Sequence, residues 1–135
     1  MAELDETEDE REFCAQYSET PICVYRALKE RARRKDDYLI EYGELNQCCQ
    51  LGLDLGTDHG RTLIGNYVGA VSEFEVSKGR PMLSAVVVHK QKPRTPGNGF
   101  YDWADELKQR RPGESNNALW IRILNECIAY WGQQP

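Results

Sequence analysis

Few side chains in this chain are equipped for chemistry. Its 135 residues include two histidines, His59 and His89, and five cysteines, Cys14, Cys23, Cys48, Cys49 and Cys127. An imidazole can move a proton near neutral pH, but His59 follows Asp58 at a helix start, where a polar first turn explains it equally well. His89 ends an apolar run beside Lys90, and Asp102, Asp105 and Glu106 could converge on it, although no spacing requires this. Val88 stands two residues before Lys90, where a metal-dependent nuclease of the Asp/Glu-x-Lys type would need an acid. The segment Gly56-Thr57-Asp58-His59-Gly60-Arg61-Thr62 resembles a phosphate-binding loop only in part. The glycine required five residues before Gly60 is Leu55, and Arg61 replaces the lysine. Nucleoside triphosphate hydrolysis is therefore set aside, and the amides of Asp58 to Arg61 are left as a single-phosphate contact at most.

The cysteines form no Cys-x-x-Cys pair and have no nearby histidine, so neither a zinc site nor a disulfide framework is expected. Cys48 and Cys49 fall in a predicted helix, where adjacent side chains point apart. Reduced, mostly buried thiols in a cytoplasmic protein are the expectation, with no metal and no cofactor.

Charge is unevenly distributed. The net charge is −5, but Met1 to Glu12 carries seven acids against Arg11, which leaves +1 on residues 13–135. Arg26 to Lys35 carries six bases against Glu30. The acidic segment could pair with this basic helix, cover a nucleic-acid site, or simply solvate the chain, and the last is the plainest expectation. An acidic start and the lack of a long apolar run argue against secretion and membrane insertion.

The elements that must position these residues read as α+β, with about five helices around a small sheet. Residues 1–9 are expected to be a disordered acidic arm and 10–135 a single globular domain. Phe13 and Tyr17 suggest a helical turn or two over 10–17. Thr20 as cap and Pro21 at the first helical position open a helix to Arg34, with Ile22, Tyr25, Leu28 and Ala32 on one face. Tyr38 to Tyr42 reads as a short strand leading into a helix over 43–50. A long helix runs from a Thr57 or Asp58 cap to Lys78 and is ended by Gly79. Its Gly65, Gly69 and Ala70 cost helix propensity and so imply a close backbone approach by another helix or a ligand. Met82 to His89 is valine-rich and predicts a strand covered on both faces. Pro96-Gly97-Asn98-Gly99 is a turn, followed by a helix with Phe100, Trp103, Ala104 and Leu107 and a last helix over 116–131.

A short helix opening at Tyr42-Gly43-Glu44-Leu45, a turn, a long helix through Gly60-Arg61 and Ile64-Gly65, then a strand and a basic turn is the order of a winged helix. Over residues 38–90 the chain resembles the winged-helix part of alkylguanine DNA alkyltransferases and alkyltransferase-like proteins. Pro81-Met82-Leu83-Ser84 stands where those enzymes have Pro-Cys-His-Arg, so alkyl transfer does not carry over. Through Tyr42 to Leu45, Ile64-Gly65, Arg80 to Val88 and Pro96-Gly97-x-Gly99-Phe100, residues 38–107 also resemble small uncharacterised bacterial proteins, some of them encoded in integron gene cassettes. That resemblance implies a mobile accessory gene and assigns no activity.

The leading expectation is a noncatalytic nucleic-acid-binding module with a winged-helix-like core over 38–107. Arg61, Thr62 and Asn66 would enter a groove of DNA or RNA, while Lys90, Lys92 and Arg94 would contact phosphates. The alternative is a module that binds a small ligand or a protein partner, including a second copy of itself, using the three tryptophans and seven tyrosines. An enzyme is the third class. Pro96, Gly97, Asn98, Gly99 and Phe100 form either a functional loop or a turn that presents Phe100 to the core.

Overall fold

The computed structural model describes residues 7–132. Six α-helices and one two-stranded parallel sheet make up the described residues, an α+β architecture dominated by helix. The elements are α1 (Glu8–Gln16), α2 (Ile22–Ala32), β1 (Ile40–Glu41), α3 (Tyr42–Cys48), α4 (Asp58–Ser77), β2 (Val87–Val88), α5 (Asn98–Glu106) and α6 (Asn116–Gly132). No helix among the described residues is long and apolar enough to cross a membrane.

The acidic segment differs from its sequence expectation. Residues 1–6 lie outside the described residues, but 7–9, expected in a disordered arm, form the start of α1. Thr7 is the N-cap, accepting from the Glu10 backbone N–H at 3.1 Å, while Glu10 accepts from the Thr7 N–H at 3.3 Å. The same Glu10 carboxylate is buried and takes hydrogen bonds from Lys29 at 2.7 Å and Arg26 at 3.1 Å. Burial alone would raise its pKa; the bonds from Lys29 and Arg26 outweigh this and hold it below the ordinary value. Asp9 pairs with Arg80, and Glu12 with Lys78. Asp9, Glu10 and Glu12 are thus the counter-charge of α2 and of the residues at the end of α4, where solvation was the plainest expectation. Composition marked the segment as unfoldable because its one large contribution to the core, Phe13, lies just beyond the acids. Phe13 is fully buried, with its ring 5.0 Å from that of Tyr25 and 5.5 Å from that of Phe74.

α4 is the central helix and follows its sequence signals closely. Thr57 caps it by accepting from the Gly60 N–H at 3.1 Å. Gly79, at φ +74°, ends it in a Schellman motif, with Arg80 N–H on Glu75 O and Gly79 N–H on Val76 O, both at 2.9 Å. At α2, Pro21 takes the N-cap position expected of Thr20, and no side chain caps that end.

Met82 to Val88 is buried throughout, as expected of a covered strand, but only Val87–Val88 is extended. Leu83–Val86 is a 3₁₀ turn. A central strand needs a neighbour on each side, and among the described residues the chain supplies only β1, in the register Ile40 to Val87 and Glu41 to Val88. The remaining backbone groups find side chains instead. Ser84 N–H donates to Ser72 Oγ at 3.0 Å, Trp120 Nε1 to Ala85 O at 2.9 Å, and Cys127 Sγ to Met82 O at 3.1 Å. The segment is therefore threaded between α4 and α6 as a buried strap.

The cysteines also depart from expectation. Cys23 of α2 and Cys49 at the end of α3 form a disulfide across a Cα–Cα distance of 5.6 Å, where reduced thiols were expected. Their sequence separation of 26 carries no motif, and only the tertiary structure brings them together. Cys48 is exposed with its sulfur 3.9 Å from that of Cys49, and Cys127 is buried.

Candidate functional site

A cavity of about 830 Å³ opens between α3, the first three turns of α4, the loop after β2 and the start of α5. This volume is in the range of small-molecule sites. α4 shapes one wall through its glycines. An added Cβ on Gly69 would lie 2.2 Å from Trp103 Nε1, so the glycine exists there to let the indole lie against the helix backbone. One turn earlier, an added Cβ on Gly65 would meet nothing within 4 Å. α5 therefore fills the groove at Gly69 and leaves it open at Gly65.

The opposite corner is built on Tyr42 and His89. The Tyr42 hydroxyl oxygen accepts the Gly97 N–H at 3.1 Å, and its ring centroid lies 5.3 Å from that of His89. An added Cβ on Gly97 would approach His89 Nε2 and the Tyr42 oxygen to 3.3 Å each, which ties this glycine to the corner. Burial raises the Tyr42 pKa, with the Gly97 hydrogen bond acting in the opposite sense. The phenol is therefore protonated at neutral pH, and its hydrogen has no acceptor among the described residues. His89 N–H donates to Thr95 O at 2.9 Å and closes the loop that carries Lys90, Lys92 and Arg94.

The residues expected at a site meet different fates. Arg61, Thr62, Asn66 and Lys90 line the cavity, as do Gly97, Asn98, Gly99 and Phe100. Lys92, Arg94 and Pro96 do not; Pro96 is buried, and Arg94 pairs with Glu41 at 3.4 Å. Arg61 is folded back, donating to Leu55 O at 3.0 Å and pairing with Asp58. Gly97 is the N-cap of α5 and Asn98 to Phe100 are its first turn, where a loop or turn was expected; Phe100 is 5% exposed, packed in the core, and also lines the cavity. The Asp58 to Arg61 segment offers little to a phosphate, since the Gly60 N–H is already held by Thr57 and Gly60 packs on the Asp54 backbone. Asp102, Asp105 and Glu106 do not line the cavity with His89, and Asp105 pairs with Arg110 at 2.7 Å. His59 is exposed and lies outside it. Among the described residues, no three His, Cys, Asp or Glu side chains cluster as a metal site.

Sequence reasoning missed Tyr42, His89 and Trp103 as members of one site. Tyr42 reads as a helix opening, His89 as a strand end and Trp103 as core. The available signal was the Gly65/Gly69 pair, four residues apart on a helix that otherwise favours bulk. No family model, curated protein or solved structure matches this chain.

Proposed function

We propose that this protein is a noncatalytic module that binds a small molecule between α3, α4 and α5. The observation that carries the reading is the cavity, with its aromatic wall of Phe100 and Trp103 and its open strip at Gly65. Pockets of this size and mixed lining are how folded domains hold small ligands. A protein partner has less support: Ile121, at 45% exposure, is the large hydrophobic residue exposed among the described residues, and it makes no patch by itself. Beside Tyr42 and His89 the described lining holds no carboxylate or thiol to complete an acid–base or nucleophilic set, which supports binding over catalysis.

Ligand-observed NMR with a fragment library tests the reading, with Gly65→Leu as the control. The leucine enters open space and removes a helix-interior glycine, a change worth up to about 1 kcal/mol in favour of the helix. Hits on the wild type that disappear with the folded variant support the site. Hits indifferent to the variant, or none, overturn it.

A second reading, nucleic-acid binding through a winged-helix-like arrangement of residues 38–107, draws support from the order α3, turn, α4, β2 and basic loop, and from exposed Lys90 and Lys92. It is weakened by Arg61 and Arg94 already holding carboxylates, because phosphate contacts supply most of such affinity. Titration with mixed duplex and single-stranded oligonucleotides at low salt decides it. Alanine at Lys90, Lys92 and Arg94 should then lower the duplex salt slope by about 0.9 per lost phosphate contact.

A further inference from the structure

Resting on the reading of this cavity as a small-molecule site, we infer that its ligand is an organic anion, a carboxylate or a phosphate ester, carried on a planar ring system. The cavity lining contains Arg61, Lys90 and His89 and not one aspartate or glutamate, in a chain whose net charge is −5. Arg61 is neutralised by Asp58, which leaves Lys90 as the cation. Lys90 is exposed and makes no ion pair among the described residues. Beside it stand His89 and the Tyr42 hydroxyl, whose oxygen already accepts from Gly97 and whose hydrogen is free to donate. A cavity lined by a cation, an imidazole and a phenol hydrogen, with no carboxylate among its described lining residues, favours an anionic ligand over a cationic or neutral one.

The shape argues for the ring. Gly65 and Gly69 strip one face of α4 to backbone, and Trp103 lies so close against Gly69 that no Cβ would fit. The open space at Gly65 lies in the same lining as Trp103 and Phe100, two aromatic side chains against which a planar ring can stack. A planar ring there has Lys90, His89 and Tyr42 at the cavity's other corner for its anionic substituent.

The test uses five matched probes followed by ligand-observed NMR and isothermal titration: 2-naphthoate, 2-naphthyl phosphate, 2-naphthamide, 2-naphthylmethylammonium and cyclohexanecarboxylate. At least one naphthyl anion should bind about tenfold or more tighter than the amide, the size of one charge-assisted contact. The preferred anion, carboxylate or phosphate, identifies the headgroup. Lys90→Gln, at an exposed position, should erase most of that preference while leaving the fold intact, and Gly65→Leu should abolish binding of every probe. Equal or tighter binding of the amide or the ammonium, or no binding of either naphthyl anion, overturns the anionic assignment. Cyclohexanecarboxylate binding as well as 2-naphthoate overturns the planar one. In each of those cases the small-molecule reading itself survives if neutral or cationic library fragments bind the wild type and are lost in Gly65→Leu, so the two failures are distinguishable.

Discussion

The two halves of α4 are built to opposite rules. From Val71 to Ser77 the helix is packed into an aromatic and ionic seam. The rings of Phe13, Tyr25 and Phe74 interlock, and Glu75, with no exposed surface, takes the Tyr25 hydroxyl at 2.7 Å and Arg80 at 2.8 Å. From Arg61 to Gly69 the same helix faces a cavity with glycines and polar side chains, where Lys90 has no ion pair and the Tyr42 hydroxyl hydrogen no acceptor among the described residues. Buried charge is tolerated in the seam because each carboxylate meets a cation and a hydroxyl or guanidinium hydrogen. Unmatched groups persist at the cavity because water reaches them. A helix that spends its C-terminal half on stability is free to leave its N-terminal half underpacked, and underpacking is what a ligand needs.

The largest effect should come from breaking the ion pairs that hold α1 on α2, beside the packed half of α4. Glu10→Ala removes the partner of Lys29, which is 6% exposed, and of Arg26, leaving a buried charge unmatched. A loss of about 3 kcal/mol is expected in urea unfolding, with ligand affinity unchanged under conditions where the variant is folded. Deletion of residues 1–12 should do at least as much damage, since it also takes away the capping box of α1.

Reduction of the Cys23–Cys49 bridge comes next, at about 3 kcal/mol for a loop of this length. Thiol titration of the denatured, unreduced protein should count three thiols and, after reduction, five. Five before reduction would return the cysteines to the reduced state expected from sequence.

A matched pair of glycine substitutions sharpens the contrast within the cavity half. Gly69→Ala forces Trp103 off the helix and should cost about 2 kcal/mol, whereas Gly65→Ala should be neutral or stabilising by up to about 1 kcal/mol. Thermal unfolding of both variants checks the sign, and equal effects would mean that α5 does not seat on Gly69.

The smallest effect expected is a pH dependence outside both halves, at the loop before α6. Hydrogen bonds from Arg122 and the Arg111 N–H depress the Glu114 carboxyl from about 4.5 to about 2. A depressed carboxyl stabilises the fold fully above its ordinary value and loses that contribution as the pH falls to its folded value. The stability gap between wild type and Glu114→Gln should therefore be constant above pH 4.5 and close progressively toward pH 2. A gap that widens on acidification would contradict the pairing.

Local signals were enough for the helices. The Thr57 cap, the Gly79 stop and the periodicity of Ile64, Val68 and Val71 act within one or two turns, and they fixed α4 almost residue by residue. The demand of Gly69 for a close neighbour was legible for the same reason, since a glycine in a helix reports a constraint on its own backbone, whereas Asn98 and Gly99, expected in a turn, open α5. The valine-rich segment was legible as buried but not as a strap, because extended structure depends on partners elsewhere in the chain, and Ser72, Trp120 and Cys127 supplied hydrogen bonds that a sheet did not.

What the tertiary structure alone decided is which residues meet. Cys23 and Cys49, Glu10 and Lys29, and Tyr42, His89 and Gly97 lie 26, 19 and up to 55 positions apart, and no periodicity links them. Their chemistry depends on distance in space, which helix packing sets after the local choices are made. Sequence determined that the chain would be helical, with an apolar core and a glycine-marked approach on α4. Packing turned acidic residues into a clamp and the start of α5 into one wall of a cavity, because ion pairs and hydrogen bonds act over a few ångströms whatever their separation along the chain.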